Sequence, residues 1–285
     1  MILIADSGAT KTDWSFGTNE SNAQIIQTQG INPFHQSVEQ IRKILKEELC
    51  PHLEKTEEFT NIYFYGAGCT IEKSYYVQQE LLAIFKNADV EVRGDLLGAT
   101  RSLCGRESGI ACILGTGSNS CFYNGQTIIE NIPPLGYILG DEGSGASLGK
   151  RLVSDCLKGQ LPKNICEAFE RETRLKVADV IEKVYRQPQP NRFLASLAPF
   201  LAKYREVPEI HELLISSFTD FFRRNVMQYP QHRCADVHFT GSIAWYFQEE
   251  VKEAASAFNL RLGKFIKNPI QGLISYHFSQ PECDE

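Results

Sequence analysis

The order of secondary-structure signals in the first third of the chain recurs later in the chain. Residues 1–16 read as a strand, a turn rich in Gly and Thr, and a second strand, and residues 110–123 follow the same plan. Two apolar runs around a short turn of this composition predict a β-hairpin. An internal repeat constrains the fold strongly, because each copy must form an equivalent structural unit.

Two further pairs of segments follow the hairpins in the same order. In each copy a strand ends at a glycine and leads into a helix, and then a second strand and a second helix follow. The first copy has strands at 61–65 and 90–92, with helices that end near 86 and at 104; the second has strands at 237–240 and 260–262, with helices that end near 258 and at 278. Three matched pairs predict a duplicated α/β domain.

The second copy carries a long extra region between its hairpin and its glycine-terminated strand. Helical patterns fill most of this region, and a Pro- and Gln-rich loop at 187–191 interrupts them. The predicted helices are 143–158, 164–172, 176–185, 192–204 and 208–228. We therefore expect an N-terminal domain at 1–105, with the C-terminal helix 271–285 as a candidate to complete it, and a second domain at 106–270 with a helical insert at about 145–230.

Composition excludes several classes of function. The formal net charge of -6 argues against nucleic acid held by general electrostatics. No apolar run is long enough to span a bilayer, and the apolar start at 1–5 is too short for a signal sequence. We expect a cytoplasmic protein without a membrane partner. Nine cysteines without a CxxC pair predict neither a disulfide framework nor a zinc site.

The first hairpin turn contains residue types that suit a bound phosphate and its metal ion. Asp6 ends a buried strand beside Gly8, which suits a Mg²⁺ ion that keeps several waters. Turn amides and the hydroxyls of Thr10 and Thr12 could bind phosphate oxygens, and Lys11 could supply a positive charge. The sequence lacks a Walker A motif, and an ordinary polar hairpin turn remains the alternative.

The second hairpin turn also suits a close approach of backbone to ligand. Its residues are Gly115, Thr116, Gly117 and Ser118. Small residues allow the backbone to come near a bound group. Two such turns at equivalent places in duplicated domains are expected to face each other across a cleft and to bind phosphates together.

Three acidic residues have two interpretations each. Asp95 follows a strand and a glycine and begins a helix, so it either caps that helix or serves as a general base. Asp141 and Glu142 lie between glycines just before a helix. They either stabilise the start of that helix or bind sugar hydroxyls.

Three motifs together resemble one known family. They are Asp6-Ser7-Gly8-Ala9-Thr10-Lys11-Thr12, Gly115-Thr116-Gly117-Ser118-Asn119 and Gly140-Asp141-Glu142-Gly143-Ser144. In this order they resemble the motifs of the N-acetylglucosamine kinase family, which is related to the BadF-type ATPases within the actin, Hsp70 and sugar kinase superfamily. The resemblance covers nearly the whole chain. It implies two duplicated ribonuclease H-like (actin-like ATPase) α/β domains with a cleft between them and a helical insert in the second.

The same resemblance implies a function and a set of site residues. The implied reaction is ATP-dependent phosphoryl transfer to a hydroxyl of an amino sugar, N-acetylglucosamine foremost, with Asp95 as catalytic base and Asp6 ordering Mg²⁺. Gly241 and Ser242 lie where the family's adenosine motif has two glycines, so Ser242 departs from that pattern. The implied ATP-binding residues are Gly8, Thr10, Lys11, Thr12, Gly115, Thr116, Gly117, Ser118, Gly241 and Ser242. The implied sugar-binding residues are Asn32, Gly140, Asp141 and Glu142.

Two other functions remain open within this superfamily. One is a BadF-type ATPase that activates a redox partner through a cysteine-bound cluster, for which Cys69 and Cys104 are the nearest candidates. The other is a non-catalytic sugar-binding sensor, although the chain keeps Asp6, Lys11 and Asp95. The sequence also leaves a homodimer open, because the helical insert offers apolar faces.

Overall fold

The chain divides into two compact units. The computed structural model describes residues 1–8 and 10–279. Unit 1 comprises Met1–Glu107, Gly125–Thr127 and the segment from Asn268 onward, and unit 2 comprises Ser108–Asn124 and Ile128–Lys267. Among the described residues, no helix combines the length and the apolar character needed to cross a membrane.

Unit 1 contains a five-stranded sheet. Its strands, numbered in chain order, are β1 (Ile2–Ser7), β2 (Lys11–Gly17), β3 (Gln24–Gln29), β4 (Asn61–Gly66) and β5 (Asp89–Gly94). They lie in the order β3-β2-β1-β4-β5. β1 pairs with β2 in antiparallel fashion and with β4 in parallel, and β5 continues the parallel set. The central position of β1 explains why its sequence is a nearly continuous apolar run.

Helices cover both faces of this sheet. They are α1 (Val38–Ile44), which continues as a π-helical stretch at Leu45–Leu49, α2 (Ser74–Ile84), α3 (Asp95–Cys104) and α13 (Ile270–Phe278), the last helix among the described residues. Because successive strand residues point to opposite faces, Leu3 and Ala5 join one core cluster and Ile4 joins another. The second cluster is built by Ile4 and Tyr65 against α13.

The last helix is bound to unit 1 by polar contacts as well as by its apolar face. The Ser102 hydroxyl of α3 donates a hydrogen bond to the Pro269 carbonyl at 2.8 Å. His277 Nε2 lies 2.9 Å from the Tyr65 hydroxyl, and its ring stacks on Tyr63 at a centroid distance of 3.8 Å. Burial, with the nearby charges of Arg101 and Arg106, lowers the pKa of His277 to about 3, so this histidine is neutral.

Unit 2 repeats the sheet of unit 1. Its strands are β6 (Ser108–Leu114), β7 (Ser118–Asn124), β8 (Ile128–Glu130), β9 (Val237–Thr240) and β10 (Leu262–Ile266), in the order β10-β9-β6-β7-β8. β6 pairs with β7 in antiparallel fashion and with β9 in parallel. Strand for strand this is the topology of the first sheet, so the duplication predicted from the sequence is confirmed.

The extra region of unit 2 is helical, as predicted. Its helices are α4 (Gly136–Leu139), α5 (Gly145–Leu157), α6 (Lys163–Thr173), α7 (Val177–Tyr185), α8 (Pro190–Ala195), α9 (Ala198–Lys203) and α10 (Pro208–Arg224). After β9 follow α11 (Ser242–Tyr246) and α12 (Gln248–Ser256). α10 buries one face, on which Phe218, Phe221 and Phe222 belong to the core of unit 2.

Three local predictions were wrong or incomplete. The helix expected at 192–204 is two helices. Pro199 has no backbone N–H to donate within a continuous helix, and it lies at the start of the second helix instead. The helix expected after Gly241 is likewise divided, between Tyr246 and Gln248. The edge strands β3 and β8 were not predicted. The sequence of β3 is Gln-Ile-Ile-Gln-Thr-Gln, mostly exposed, and it lacks the alternation of a half-buried strand.

Candidate active site

Three parallel strands of unit 1 end side by side. Ser7 of β1 lies opposite Gly66 of β4, and Gly66 lies opposite Gly94 of β5. The residues that follow these strands therefore meet at the carboxyl edge of the sheet, where α/β proteins commonly bind ligands. Asp95 comes directly after Gly94, so this edge holds both the first turn and the predicted catalytic residue.

Asp6 has an unusually negative environment. It lies opposite Asp13 of β2. Burial, followed by the negative charges of Asp13 and Asp95, raises the pKa of the Asp6 carboxyl to about 7, against the opposing positive charge of Lys11. A divalent cation at this carboxyl would favour its ionised form and so offset the burial and the two neighbouring negative charges. The environment of Asp6 therefore fits Mg²⁺.

The ion would need ligands from outside the protein. Among the described residues, no group of three or more His, Cys, Asp or Glu side chains could hold a metal ion. Mg²⁺ suits such a place, because it often binds one or two carboxylates and takes its other ligands from water and substrate phosphates. Asp6 is the protein group that would hold it.

The open side of the first turn carries Gly8, Thr10 and Lys11. The Gly8 N–H donates to the Lys11 carbonyl at 2.9 Å and closes the turn, while Gly8 and Thr10 are exposed. The Lys11 ammonium lies 2.8 Å from Asp13 Oδ2. Ala9 of the quoted motif lies outside the described residues. Gly8, Thr10 and Lys11 are thus placed where a phosphate could reach them.

Thr12 faces the interior of unit 1 instead. It is fully buried, and its hydroxyl lies 2.7 Å from the Ser7 hydroxyl and donates to the Gln29 carbonyl at 3.2 Å. Ser7 in turn binds both the N–H and the carbonyl of Ile31, each at 2.9 Å. The Thr12 hydroxyl therefore helps to fix the segment that leads to Asn32, and its contact with phosphate stays a prediction.

Asn32 is held at the same edge of unit 1. Its N–H donates to Gln36 Oε1 at 2.7 Å, and its Oδ1 accepts the N–H of Phe34 at 3.0 Å. Gly68 has a φ of +76°, and a Cβ there would collide with Asn32 Oδ1. The glycine is therefore required twice, for its backbone conformation and for the space that Asn32 occupies.

Asp95 is the first residue of α3, and Gly94 occupies the N-cap. Asp95 therefore does not occupy the N-cap itself, although its side chain binds an N–H of the first turn. Asp95 Oδ1 accepts the N–H of Leu96 at 2.9 Å. Burial raises the pKa of the Asp95 carboxyl, although this hydrogen bond opposes the shift. A raised pKa strengthens a carboxylate as a proton acceptor, which is the property a general base needs.

In unit 2 the second turn is bound to the start of α5. The Gly115 N–H donates to the Gly117 carbonyl at 2.9 Å. The carbonyls of Gly115 and Thr116 accept the N–H groups of Gly145 at 2.8 Å and Ala146 at 3.0 Å. The turn and the helix therefore form one connected structure within unit 2.

The loop that carries Asp141 folds onto this turn. Asp141 is 8% exposed and has a φ of +54°, and its Oδ1 accepts the Ser118 N–H at 3.2 Å. A Cβ at Gly117 would lie 2.9 Å from Asp141 Oδ2, and a Cβ at Gly140 would collide with the Pro134 carbonyl. Burial raises the pKa of the Asp141 carboxyl. The glycines permit this close packing of loop against turn.

Glu142 is paired within unit 2, and the cap of α5 is a different residue. Glu142 Oε1 lies 2.7 Å from Arg224 Nε, and Asn225 Nδ2 donates to Oε2 at 3.4 Å. The N-cap of α5 is Ser144, whose hydroxyl accepts the N–H of Ser147 at 3.1 Å. Neither acidic residue of the motif therefore serves as the capping side chain.

Gly241 lies beside the second turn. It follows β9 with a φ of +109°, and a Cβ there would collide with the Leu114 carbonyl and lie 3.3 Å from the Gly115 nitrogen. Ser242 begins α11 and is exposed. The predicted adenosine motif and the second phosphate motif are thus neighbours at the carboxyl edge of the unit 2 sheet.

Three residues near these sites were not predicted to be site residues. Asp13 could have been found, because residues two apart on a strand share a face, which places it beside Lys11. Gly68 required knowledge of the loop that carries Asn32. Trp245 is 44% exposed on the short helix after Gly241, and the sequence pattern gives no signal for that exposure.

Comparison with solved structures extends these observations. The chain is 47% identical to a Porphyromonas gingivalis protein assigned by name to N-acetylglucosamine kinase, with a TM-score of 0.94 and coverage of 98% of this chain and 99% of that one. A Chromobacterium violaceum protein with the same assignment is 18% identical, with a TM-score of 0.73 and coverage of 96% and 98%. A ROK family glucokinase from Streptomyces griseus, solved with glucose and AMPPNP, is 12% identical, with a TM-score of 0.56 and coverage of 96% and 97%. The chain matches no family model and no curated protein.

Two repeated α/β units with these glycine-bounded turns define a protein of the actin-like ATPase fold, in the class that includes the sugar kinases. The first two structures in the comparison share one name and align over nearly the whole chain. The level of identity to the P. gingivalis protein then fixes the family: the chain belongs to the N-acetylglucosamine kinase family of sugar kinases.

Proposed function

We propose that the protein transfers the γ-phosphoryl group of ATP to a hydroxyl of an amino sugar, N-acetylglucosamine foremost. The observation that carries the proposal is the Asp95 carboxyl. It lies at the carboxyl edge of the unit 1 sheet and has a raised pKa. It lies close enough to Asp6 for its charge to raise the pKa of that residue. A proton acceptor near a metal-binding carboxylate is the arrangement a sugar kinase needs.

In the proposed reaction Asp95 accepts the proton of the attacking sugar hydroxyl. The hydroxyl oxygen forms a bond to the γ-phosphorus, the bond from that phosphorus to the β–γ bridging oxygen breaks, and ADP leaves with the electron pair. Protein side chains contribute mainly position and charge to such a transfer. Mg²⁺ bound at Asp6 would supply charge neutralisation for the phosphates.

We propose nucleotide contacts in each unit. ATP is the proposed donor, since a glucokinase of the same fold was solved with the ATP analogue AMPPNP. In unit 1 the proposed phosphate contacts are Gly8, Thr10 and Lys11. In unit 2 they are the backbone of the second turn, Gly115, Thr116, Gly117 and Ser118, with Gly241 and Ser242 next to it for the adenosine.

The sugar would be recognised by polar groups from two loops. Asn32, fixed by Ser7 and Gly68, offers an amide at the Asp95 edge of unit 1. In unit 2 Gly140 and Asp141 are proposed to contact sugar hydroxyls. Glu142 is proposed as a weaker contributor, because its carboxylate already pairs with Arg224.

The test is a coupled assay of ADP release with a panel of sugars. We expect N-acetylglucosamine to give the highest kcat/KM, above glucosamine, N-acetylmannosamine, muramic acid and glucose. The Asp95→Asn variant serves as the inactive control, and mass spectrometry of the product checks that one phosphate was added. If every amino sugar gives only background rates while glucose is phosphorylated, the proposed substrate class is wrong.

The redox alternative lacks support from the two cysteines that suggested it. Cys69 and Cys104 are 8% and 7% exposed. Burial, with the Asp95 charge, raises the pKa of the Cys69 thiol to about 12, so this thiol is protonated near neutral pH. No observation in unit 1 favours a surface cluster at these positions over the kinase chemistry.

We also propose that unit 2 supports a homodimer. On α7 the side chains of Val177, Ile181 and Tyr185 are exposed at intervals of four residues, which gives an apolar stripe on one face of the helix. They border an apolar groove of about 660 Å³ that Tyr137 and Ile138 also line. Light scattering should give twice the chain mass, and Ile181→Glu should reduce it to the monomer. A monomeric wild-type protein would exclude the dimer.

A further inference from the structure

A row of polar residues crosses three strands at the edge of unit 1. Asp6 of β1 lies opposite Asp13 of β2, and Asp13 lies opposite Gln27 of β3. Residues in one row share a face of the sheet, and Asp13 is only 3% exposed. Like charges directly opposite each other destabilise a sheet, and a buried carboxylate is unfavourable unless it is paired and hydrogen-bonded.

Both oxygens of the Asp13 carboxylate have partners. The Lys11 ammonium lies 2.8 Å from Oδ2 and 3.2 Å from Oδ1, and Gln27 Nε2 donates to Oδ1 at 2.6 Å. Lys11 stands two residues before Asp13 on β2, so both side chains leave the same face of the strand. The Lys11 side chain is 43% exposed, whereas that of Asp13 is 4% exposed. The lysine is therefore fixed at its charged end while part of it remains open to solvent.

The arrangement is hard to explain by stability alone. A buried ion pair is often no more stable than apolar residues of similar size. A pair of carboxylates next to each other makes the position less favourable still. What the arrangement does provide is a lysine held at the first residue of β2, directly after the exposed turn that carries Gly8 and Thr10.

We infer that Asp13 is a positioning residue: anchored by Gln27, it holds the Lys11 ammonium beside the first turn, ready for the phosphates of a nucleotide. The inference rests on the proposed nucleotide binding by this turn. A free lysine loses much of its rotamer freedom when it binds a ligand. A lysine that is already fixed loses less, so the ligand binds more tightly.

The test is a double-mutant cycle read by nucleotide binding. Wild type, Asp13→Asn, Lys11→Met and the double variant are compared by calorimetric titration with AMPPNP and Mg²⁺. Asp13→Asn keeps the shape of the side chain but removes the charge that holds the lysine. We expect it to weaken AMPPNP binding about tenfold, which corresponds to ~1.4 kcal/mol. In the Lys11→Met background it should cause no further loss, because the lysine through which it acts is gone.

Two variants complete the set. Glu58→Gln removes the partner of an exposed lysine in the same unit, the Lys55–Glu58 pair at 3.0 Å, and should leave AMPPNP binding unchanged. Gln27→Ala keeps the Lys11–Asp13 pair but removes one anchor of Asp13, and should weaken binding by a smaller factor. This variant also serves if Asp13→Asn fails to fold, and unchanged binding there would then overturn the inference.

The outcomes separate the inference from the proposed function. If Asp13→Asn binds AMPPNP as tightly as wild type, or if its loss adds fully to that of Lys11→Met, Asp13 does not act through Lys11 and the inference fails, whatever the substrate. If the cycle behaves as expected but no amino sugar is phosphorylated, the inference stands and the proposed substrate class fails. If wild type does not bind AMPPNP, both fail.

Discussion

The replacement Asp95→Asn should separate catalysis from stability. The variant keeps the size of the side chain and an oxygen for the Leu96 N–H, but it cannot accept the proton of a sugar hydroxyl. Loss of a positioned general base typically costs about 10²–10⁴-fold in rate. This corresponds to ~2.7–5.4 kcal/mol of transition-state stabilisation. We expect kcat to fall by this factor, while KM for ATP changes little because the first turn is intact.

The stability of the Asp95→Asn variant should not fall with its activity. The pKa of Asp95 is raised in the folded protein, mainly by burial, so the ionised carboxylate is less favourable there than in the unfolded chain. The folded state binds the proton more strongly, and the free energy of unfolding falls as the pH rises from the ordinary carboxyl pKa through the raised one. At neutral pH the uncharged Asn of the variant removes the free-energy cost of burying an ionised carboxylate. Its melting temperature should therefore equal or exceed that of wild type.

Steady-state kinetics and thermal denaturation at pH 7.5 measure both effects. Asp89→Asn, at the exposed start of β5, is the matched control and should change neither. Repeating the melts at about pH 4 should shrink the difference between wild type and Asp95→Asn, because the wild-type carboxyl is then partly protonated in the unfolded chain and more fully protonated in the folded one. A variant that turns over within tenfold of wild type, or that melts several degrees lower, would show that Asp95 is structural.

Three further predictions concern other parts of the chain. Gly241→Ala should destabilise the protein by at least about 1–3 kcal/mol and weaken nucleotide binding, because its φ of +109° and the nearby Leu114 carbonyl do not admit a Cβ. Urea denaturation measures the loss of stability, and an unchanged midpoint would contradict the prediction. His277→Gln should reduce the acid sensitivity of the fold. The pKa of His277 is lowered to about 3, so the unfolded chain binds more protons below about pH 6.5, and wild-type stability falls there by up to ~1.4 kcal/mol per pH unit; equal slopes in denaturation series from pH 7 to 5 would refute this. Trp245 should report nucleotide binding: in a Trp14→Phe variant it is the remaining tryptophan, 44% exposed beside Gly241, and its emission should change on adding AMPPNP with Mg²⁺. No change at saturating AMPPNP would place the adenosine elsewhere.

Much of the fold could be predicted because its central strands carry strong local signals. The apolar runs of β1 and β6 are each followed later in the chain by a strand that ends at a glycine, β4 in unit 1 and β9 in unit 2. These signals can be read from the sequence without knowledge of the fold. The edge strands β3 and β8 could not be found in this way. β3 exposes most of its residues, so the partner strand, rather than burial, determines its conformation.

The candidate site was predictable in its residue types but less so in its contacts. Asp6 and Asp95 lie at one sheet edge because β1, β4 and β5 are parallel, and Asn32 lies there because β3 runs in the same direction as β1. The direction of the Thr12 hydroxyl depends on the Ser7 side chain and on the loop after β3, which is distant in sequence. The pairing of Glu142 with Arg224 joins residues far apart in the chain, and a single sequence carries no signal for it.

Unit 1 is built from segments that lie far apart in the chain, and this has a consequence for its biosynthesis. The helix that covers Ile4 and Tyr65, α13, is made only after the ribosome has translated Ser108–Lys267. At ordinary elongation rates this delay is on the order of 10–30 s. During that interval the part of the apolar face of the nascent sheet that α13 will cover is exposed, with α3 packed beside it. A fragment that stops at Glu107 would keep this exposed face permanently, so it should aggregate, while a fusion of the final helix directly to that fragment should keep it in solution.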